Sequence, residues 1–475
     1  MNSHNGAGSA SEPMTKLKIT EPLTSFHTEI LQHAASLVQL DLSGTGLSSL
    51  PDEFSQLTSL KVLFLSSCNF TVFPAVLSQC PTLEMVAFRG NGMRSVPEDA
   101  LPPRLRWLIL TGNEIEALPR SIGKCGRLQK CMLSGNLLTS LPEEMRNCTK
   151  LGLLRLSANR IQELPGWLYE MPDLAFLSIA GNPCTGADLA GTEASQVVEK
   201  GDKEEEEGLL KIPWSSLSVH SLLGEGASGI ISKGTFTPPN GTAQDAAVKI
   251  FKGSVTSDGT PLNEMRACMR AACHPNLIDT QGKIIDHPDG PDKKGLVMEL
   301  IPPTYRTLGL PPSLDSCTRD CFAPETSVTM AQGIAILHGI ASAARHLHAK
   351  GVAHGDLYAH NILYDEAGHA ILGDLGAASI YTAAAAERRA HERLEVLALA
   401  HLMEDVWTLA KSGLSFAAAE LSAAVLLERL HKRCAVREVS SRPGLDDIVV
   451  ELGRLRELVE GRDGGALNAF GELPN

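Results

Sequence analysis

The sequence predicts two different folds in one chain: an α/β solenoid built from short repeats, followed by an α+β domain of two lobes. A leucine pattern recurs seven times at a spacing of 22 or 23 residues in the first part of the chain. The pattern then stops at a charged stretch, and a β-rich region and several helical stretches follow. With 475 residues, the chain also exceeds the roughly 250–300 residues beyond which one hydrophobic core rarely grows.

The repeated pattern is L-x-x-L-x-L-x-x-N-x-L, which predicts one short strand and one turn in each unit. Its units begin at Leu37, Leu60, Leu83, Leu105, Leu128, Leu151 and Leu174. Each of the first six units ends on an apolar residue followed by proline. The leucines can be buried only if neighbouring units stack. Residues 37–184 therefore resemble the leucine-rich repeats of intracellular signalling proteins.

One face of the predicted solenoid is unusually apolar. The strands of such an array line a concave face, and its central patch comprises Val62, Phe64, Met85, Trp107, Ile109 and Met132. Two interpretations remain open: the patch docks a partner protein, or the N-terminal segment or the second domain covers it. Residues 1–36 are expected to be a tail with a helix around Phe26 that caps the first unit.

The remaining composition excludes several classes of protein. Residues 185–213 include four consecutive glutamates at 204–207 and predict a solvated linker. No run approaches the roughly 20 apolar residues of a membrane span, and a net charge of −13 without a basic cluster argues against nucleic-acid binding. The N-terminus lacks the apolar core of a signal peptide. The eleven cysteines contain no C-x-x-C pair, so free thiols in the cytoplasm are expected.

The region after the linker contains residues suited to binding phosphates. Gly224, Gly226 and Gly229 form G-x-G-x-x-G between two β-rich segments, and no helical pattern follows them directly. Lys249 lies in the apolar strand AAVKI, where a buried ammonium requires a counter-charge. Nucleotide phosphates and Glu264, which lies in a helical stretch, are the two candidates.

A second group of polar residues follows a helix expected over 327–350. The stretch HGDLYAHNIL, 354–363, contains Asp356 and Asn361, and Asp374 follows a short apolar strand in AILGDLGAAS. Such oxygen-bearing side chains bind magnesium and orient a hydroxyl nucleophile. His354 is expected to be packed and hydrogen-bonded rather than to act as a base.

In this order, the motifs resemble the protein-kinase family over roughly residues 217–459. The resemblance implies ATP and Mg²⁺ as cofactors, with Asp356 accepting the hydroxyl proton and Asn361 and Asp374 holding the metal. Together with Lys249, Asp356 and Asn361 form the implied catalytic set. The nucleotide-binding residues that it implies are Gly224, Glu225, Gly226, Gly229, Ile231, Ala247, Lys249, Glu264, Met298, Glu299 and Ile301. The expected domain spans 214–460, with a tail over 461–475.

Several positions depart from the family pattern. Gly355 replaces the arginine that usually precedes the catalytic aspartate and docks a phosphorylated loop, and Tyr358 stands where serine/threonine kinases carry a lysine. Glu395 is expected to take the place of the aspartate that opens the next buried helix. We predict a cytoplasmic protein kinase, serine/threonine in specificity, whose repeats recruit a protein. The alternatives are a phosphotransferase of the aminoglycoside or choline type, which acts on small molecules, and a pseudokinase scaffold that binds nucleotide.

Overall fold

A computed structural model describes residues 13–185, 210–226, 228–238, 241–253, 256, 258–290, 292–381, 385–411 and 418–461 of this chain. Its contacts divide the chain into two units, Met1–Leu128 with Pro142–Cys148, and Gln129–Leu141 with Thr149–Asn475. Most of the predicted linker, including the glutamate run at 204–207, and the tail beyond residue 461 lie outside the described residues.

The first unit contains five short strands that pair in parallel and in chain order. Strand β1 (Lys16–Lys18) precedes the first repeat, and the leucine pattern does not predict it. The other four lie where the pattern places them: β2 (Gln39–Asp41), β3 (Val62–Phe64), β4 (Met85–Ala87) and β5 (Trp107–Ile109). The expected cap is a 3-10 helix, Thr28–His33, beside which Phe26 is buried.

The interior of this unit explains why its sequence repeats. The first leucine of each unit is completely buried, as at Leu37, Leu60 and Leu83. Four of the recurring prolines are the N-cap residues of 3-10 turns, with φ between −65° and −74°, which is the value that the proline ring fixes. These turns are Asp52–Gln56, Ala75–Gln79, Arg120–Lys124 and Glu143–Asn147. The periodic residues therefore each have a packing or backbone role.

Only part of the predicted apolar patch is open to water. In the first unit Val62 and Met85 are buried, with 8% and 5% of their surface exposed, whereas Phe64, Trp107 and Ile109 are half-buried. Strands lie only about 4.8 Å apart in a sheet, so neighbouring side chains on one face cover each other. Met132 belongs to the second unit, where it packs against a hydrophobic core formed mainly by residues of the helices.

The second unit begins with three further parallel strands, which we call the C-terminal repeat strands. They are β6 (Lys130–Met132), β7 (Leu153–Arg155) and β8 (Phe176–Ser178), again at the predicted positions. Phe176 and Leu153 belong to the same core as the helices described below. The part of the concave face formed by these strands is therefore covered by other residues of the same unit.

A six-stranded sheet follows, in the order β10-β11-β12-β14-β13-β9. Its strands are β9 (Lys211–Pro213), β10 (Leu217–Glu225), β11 (Gly229–Phe236), β12 (Gln244–Phe251), β13 (Thr280–Ile285) and β14 (Gly295–Glu299). Helix α1 (Pro261–Ala271) lies between β12 and β13 in sequence. It begins after Thr260, whose side chain accepts a hydrogen bond from the Asn263 amide and caps the helix.

The rest of the second unit is mainly helical. Its helices are α2 (Met330–Ala349), α3 (Ala385–Lys411), α4 (Ala418–Cys434) and α5 (Leu445–Val459). Short strands connect them: β15 (Arg306–Thr307), β16 (Val352–Ala353), β17 (Ile362–Tyr364), β18 (Ala370–Leu372) and β19 (Ser379–Ile380). Ile334, Leu337 and Ile340 of α2 are completely buried at the centre. The predicted fold class, α/β repeats followed by an α+β domain, is confirmed.

The asparagine column of the repeats provides a test of this packing. The Asn159 side chain accepts a hydrogen bond from Leu138 N at 3.1 Å and donates to Leu133 O and Leu156 O at 3.0 and 2.8 Å. We expect Asn159→Ala to lower the free energy of unfolding by about 3 kcal/mol, because buried backbone groups lose their partners. Chemical denaturation measures the change. Arg160→Ala, at an exposed neighbour, should stay within about 0.5 kcal/mol of wild type, and equal effects of the two substitutions would contradict the assignment.

Candidate active site

The β10–β11 hairpin carries the three glycines. A Cβ on Gly229 would lie 2.7 Å from the carbonyl oxygen of Ile250 on β12, so only glycine allows the two strands to approach this closely. Gly224 and Gly226 have open space where a Cβ would stand. The Gly226 amide donates to Gly229 O at 2.9 Å and closes the turn. Two of the glycines thus leave room above the hairpin, while the third fixes it to the sheet.

Lys249 lies at the centre of a buried charge cluster. Its ammonium forms an ion pair with the Glu264 carboxylate of α1 and lies 3.7 Å from Asp374 Oδ1. The side chains of Lys249 and Glu264 are each only 5% exposed. The sequence-based expectation of a counter-charge is therefore met by Glu264, and a third charged group, Asp374, lies within reach of the same ammonium.

The burial of this pair affects both pKa values. Burial would lower the pKa of Lys249, but the negative charges of Glu264 and Asp374 outweigh it, so the pKa is raised. Burial raises the pKa of Glu264 to about 7, with a further contribution from Asp374 and against the effect of Lys249. Lys249 therefore keeps its positive charge in a site that excludes water, which strengthens its attraction for an anionic ligand.

Asp374 is held in an uncommon backbone conformation. Its φ of 51° and ψ of 82° lie in the left-handed region, and Oδ1 accepts a hydrogen bond from Gly376 N at 3.1 Å. A Cβ at Gly376 would lie only 3.0 Å from that same oxygen. The side chain remains about half exposed, at 49%. The Asp-Leu-Gly turn thus directs a carboxylate toward the cluster while leaving it accessible.

The loop 354–361 carries the other predicted oxygen ligands. Asn361 Nδ2 donates to both the backbone oxygen and Oδ2 of Asp356, at 2.9 Å each. His354 is completely buried, with Nε2 hydrogen-bonded to Gly373 O at 2.9 Å and Nδ1 to Asp356 N at 3.2 Å. His354 is therefore packed and hydrogen-bonded, as the sequence predicts.

Glu395 is hydrogen-bonded to the backbone of this loop. Its carboxylate accepts a hydrogen bond from Gly355 N at 2.5 Å and contacts His348 Nε2 at 2.7 Å. Burial would raise the pKa of Glu395, but His348 and the Gly355 amide lower it overall. The residue lies inside α3, which begins ten positions earlier at Ala385, and not at the start of a helix as expected. The Ala- and Arg-rich segment before it continues the same helix.

Arg155 is a site residue that the sequence analysis missed. It projects from β7 with a side chain only 2% exposed. Its Nε donates to Asp258 Oδ1 at 3.0 Å, Nη1 donates to Gly355 O at 2.7 Å, and Nη2 forms an ion pair with Asp356. The signal in the sequence is that Arg155 is charged, whereas the residues at the equivalent position of the central repeats are mostly apolar.

The contact with Arg155 sets the electrostatics of Asp356. Burial would raise the pKa of this carboxyl group, but the positive charge of Arg155 and contributions from His360, His354 and Asn361 hold it below its usual value. Burial would likewise lower the pKa of Arg155, and Asp356 and Asp258 raise it. Both side chains are therefore charged.

One cavity brings together half of the predicted catalytic, metal-binding and nucleotide-binding residues. Its lining includes Gly226, Gly229, Ile231, Lys249, Glu264, Met298 and Asp374. The predicted residues that do not line it are Gly224, Glu225, Ala247, Glu299, Ile301, Asp356 and Asn361. Ala247 is buried and pairs with Met298 across β12 and β14, and the Glu299 amide donates to Asp279 O at 2.9 Å. The Glu299 amide is therefore engaged in a backbone hydrogen bond.

The donor set fits a hard divalent cation bound together with a phosphate ligand. Asp374 supplies a half-exposed carboxylate, and Asn361 supplies an amide oxygen whose nitrogen is already engaged. Within the described ranges, no group of three or more His, Cys, Asp or Glu side chains is arranged to hold a metal by itself. Mg²⁺ is characteristically bound by one or two carboxylates together with substrate phosphates.

Comparisons with known proteins agree with this geometry. The family described as protein tyrosine and serine/threonine kinase matches residues 217–401, and leucine-rich-repeat families match residues 36–57 and 103–161. The chain is 28% identical over 177 residues to the serine/threonine-protein kinase PkaB of Streptomyces coelicolor, which covers 35% of this chain and 37% of that protein. It is 29% identical over 167 residues to the human non-receptor tyrosine-protein kinase TNK1, which covers 34% of this chain and 23% of that protein.

This chain thus spans well under half the length of these two curated relatives. Among the described residues, no helix has both the length and the apolar character needed to cross a membrane.

The charge cluster predicts how Lys249 contributes to ligand binding. We expect Lys249→Met to weaken binding of a non-hydrolysable ATP analogue with Mg²⁺ by about ten- to hundredfold, because a charge-assisted contact is lost. Isothermal titration calorimetry measures the affinity. Lys233→Met removes a lysine whose ion pair with Asp245 is largely exposed, and it should leave the affinity unchanged. Similar affinities of the Lys249 variant and wild type would remove this cluster from the nucleotide site.

Proposed function

Because the chain carries leucine-rich repeats followed by a protein tyrosine and serine/threonine kinase domain, we propose that it transfers the γ-phosphoryl group of ATP to serine or threonine hydroxyls of a protein. The observation that carries this proposal is the cluster of Lys249, Glu264 and Asp374 in one cavity beneath the glycine hairpin. A catalytic domain over 214–460 and repeats over 37–184 remain the proposed boundaries.

Each charged residue has a proposed role in the transfer. Glu264 orients Lys249, whose ammonium binds the α- and β-phosphates, and Asp374 and Asn361 hold magnesium. Magnesium, when bound, neutralises charge on the phosphate oxygens. Asp356 accepts the proton of the acceptor hydroxyl as the oxygen attacks the γ-phosphorus and the bond to the β-phosphate oxygen breaks. Catalysis then depends chiefly on positioning and on electrostatic stabilisation.

The proposed acceptor is a hydroxyl group of a protein. The kinase-family match over residues 217–401 favours a protein acceptor over a small alcohol. One relative is named a serine/threonine kinase and the other a tyrosine kinase. The eleven cysteines are all free thiols, which supports the proposed location in the reducing cytoplasm.

The acceptor class can be determined with the full chain, labelled ATP and magnesium. Parallel reactions contain casein, a mixed serine, threonine and tyrosine peptide library, or a panel of aminoglycosides and choline. Phosphate on serine or threonine supports the proposal, and phosphate on tyrosine changes its specificity. Phosphate on the small alcohols alone would replace the proposal with the rival phosphotransferase, and nucleotide binding without any transfer would indicate a scaffold.

Asp356→Asn tests the assignment of the base. We expect it to lower the turnover number by about 10²- to 10⁴-fold, the usual contribution of general base catalysis. Its affinity for the ATP analogue should change little, because Asp356 does not line the nucleotide cavity. Stopped-time phosphorylation and calorimetry give the two quantities. The matched control is Asp365→Asn, at an exposed turn after β17. Turnover retained by Asp356→Asn would exclude Asp356 as the base.

We further propose that the open part of the apolar patch in the first unit recruits the substrate protein. Phe64, Trp107 and Ile109 remain half-buried on the strand face, which suits a surface that releases water when a partner docks. Recruitment at a second site raises the effective concentration of the acceptor at the catalytic residues.

Trp107→Glu tests this recruitment. We expect it to raise the KM for a full-length protein substrate by about tenfold, as is typical when a central aromatic contact is lost, with kcat unchanged. Phosphorylation of a short peptide should not change. Val72→Glu, at an exposed residue of the same unit, serves as the control, and an unchanged KM for Trp107→Glu would assign the patch a purely structural role.

A further inference from the structure

The C-terminal repeat strands contact the residues that are proposed to handle the acceptor hydroxyl. Arg155 of β7 reaches Asp356 and Gly355, and Phe176 of β8 stacks on Tyr358 with ring centroids 3.9 Å apart and an angle of 12°. Tyr358 is only 5% exposed beneath it. The surface where an incoming hydroxyl would meet Asp356 is therefore occupied by side chains of the repeats.

Both carboxylate oxygens of Asp356 are already engaged. Oδ1 is paired with the Arg155 guanidinium, and Oδ2 accepts from Asn361. A general base must lie within hydrogen-bond reach of the hydroxyl that it deprotonates. The oxygen bound by Arg155 cannot meet this requirement.

Further contacts join the repeats to Asp258 and to the segment that follows Asp374. Ser178 Oγ donates to Asp258 O at 3.0 Å, and Ile179 N donates to the side chain of Ser379 at 2.8 Å. A Cβ on Gly355 would lie 2.7 Å from the carbonyl oxygens of both Ala377 and Leu177. The repeats and the catalytic residues thus pack backbone against backbone, without space for an extended peptide between them.

Further contacts fasten the same repeats to the helical part. Tyr169 is hydrogen-bonded to His391 at 3.0 Å, and Arg442 Nη2 donates to Pro172 O at 2.7 Å. The exposed ion pair of Arg437 with Asp173, at 2.8 Å, lies at the edge. The closed arrangement therefore has several anchors, of which the Arg155–Asp356 pair is the one that involves a catalytic group.

We propose that the C-terminal repeat strands autoinhibit the kinase, with Arg155 occupying the acceptor side of Asp356 until these repeats move away. This inference rests on the proposed kinase activity, whose regulation it specifies. The nucleotide cavity remains outside the contact, because neither Arg155 nor Phe176 lines it. The closed protein is thus expected to bind ATP while it phosphorylates protein acceptors slowly.

The experiment compares the full-length wild type with Arg155→Met, which keeps a long side chain but removes the charge. We expect the variant to phosphorylate a protein acceptor about tenfold faster, since one buried charge-assisted contact shifts a two-state equilibrium by about that factor. The affinity for the ATP analogue should stay within about twofold. Arg160→Met, at an exposed arginine five residues further along the same repeat, should behave like wild type in both measurements.

Asp258→Asn is a milder second variant. Asp258 is not a proposed catalytic residue, and its loss weakens the hold on Arg155 without leaving Asp356 unpaired. A smaller acceleration in this variant, with an unchanged thermal midpoint, supports the inference even if Arg155→Met folds poorly. Wild-type or reduced turnover in the folded Arg155 variant overturns it, and reduced turnover would place Arg155 in the catalytic machinery instead.

Amide hydrogen exchange separates failure of this inference from failure of the proposed activity. If the wild type and all variants transfer no phosphate, the kinase proposal fails and the regulatory inference fails with it, whereas exchange of residues 354–361 tests the closed contact itself. Faster exchange in Arg155→Met than in Arg160→Met supports a closed contact over this loop. Equal exchange in the two variants overturns it.

Discussion

The burial of one guanidinium group is the interaction on which the arrangement of the second unit depends. Arg155 is almost completely removed from water, and an arginine cannot lose its charge there. Such a group is tolerated only if its donors are satisfied by acceptors with good geometry. Asp258, Gly355 O and Asp356 provide them. The repeats are thereby tied to the loop 354–361, because removal of both carboxylates would leave a buried positive charge without compensation.

Two of the buried cations in the described part of the site each lie between two carboxylates. Lys249 lies between Glu264 and Asp374, whereas Arg155 lies between Asp258 and Asp356. The two arrangements have different consequences for the proposed reaction. Phosphates of a bound nucleotide can take the place of Asp374 at Lys249, where the existing contact is a weak one of 3.7 Å. Lys249 then retains its ion pair with Glu264. An acceptor hydroxyl is neutral, so it cannot take the place of Asp356 as the counter-charge of Arg155.

Much of the fold and the nucleotide side of the site could be predicted from the sequence. Seven of the eight repeat strands follow from leucine spacing, because their burial depends only on contacts with adjacent units. The pairing of Lys249 with Glu264 could be expected because a lysine in an apolar strand needs a counter-charge. Strand β1 and the burial of Val62 and Met85 could not be predicted, since they depend on how neighbouring strands and side chains pack.

The acceptor side could not be predicted, because its decisive contact joins residues 201 positions apart. Periodicity places Arg155 on the strand face, but it carries no information about which element packs there. The same limit applies to Glu395. Its contacts with Gly355 and His348 join residues that are 40 and 47 positions apart. Local patterns thus determine elements, and long-range packing determines which charges meet.

Two of the departures from the kinase pattern acquire a physical explanation from this packing. Gly355 has a φ of 73°, and any side chain there would collide with backbone oxygens of residues 177 and 377, so the usual arginine cannot be accommodated beside β8. Tyr358 provides a flat ring on which Phe176 stacks, which a lysine could not do. Both residues therefore allow the loop 354–361 to pack against β8. In other kinases an arginine at the position of Gly355 links the loop to a phosphorylated segment, whereas here the link is made by the repeats through Arg155.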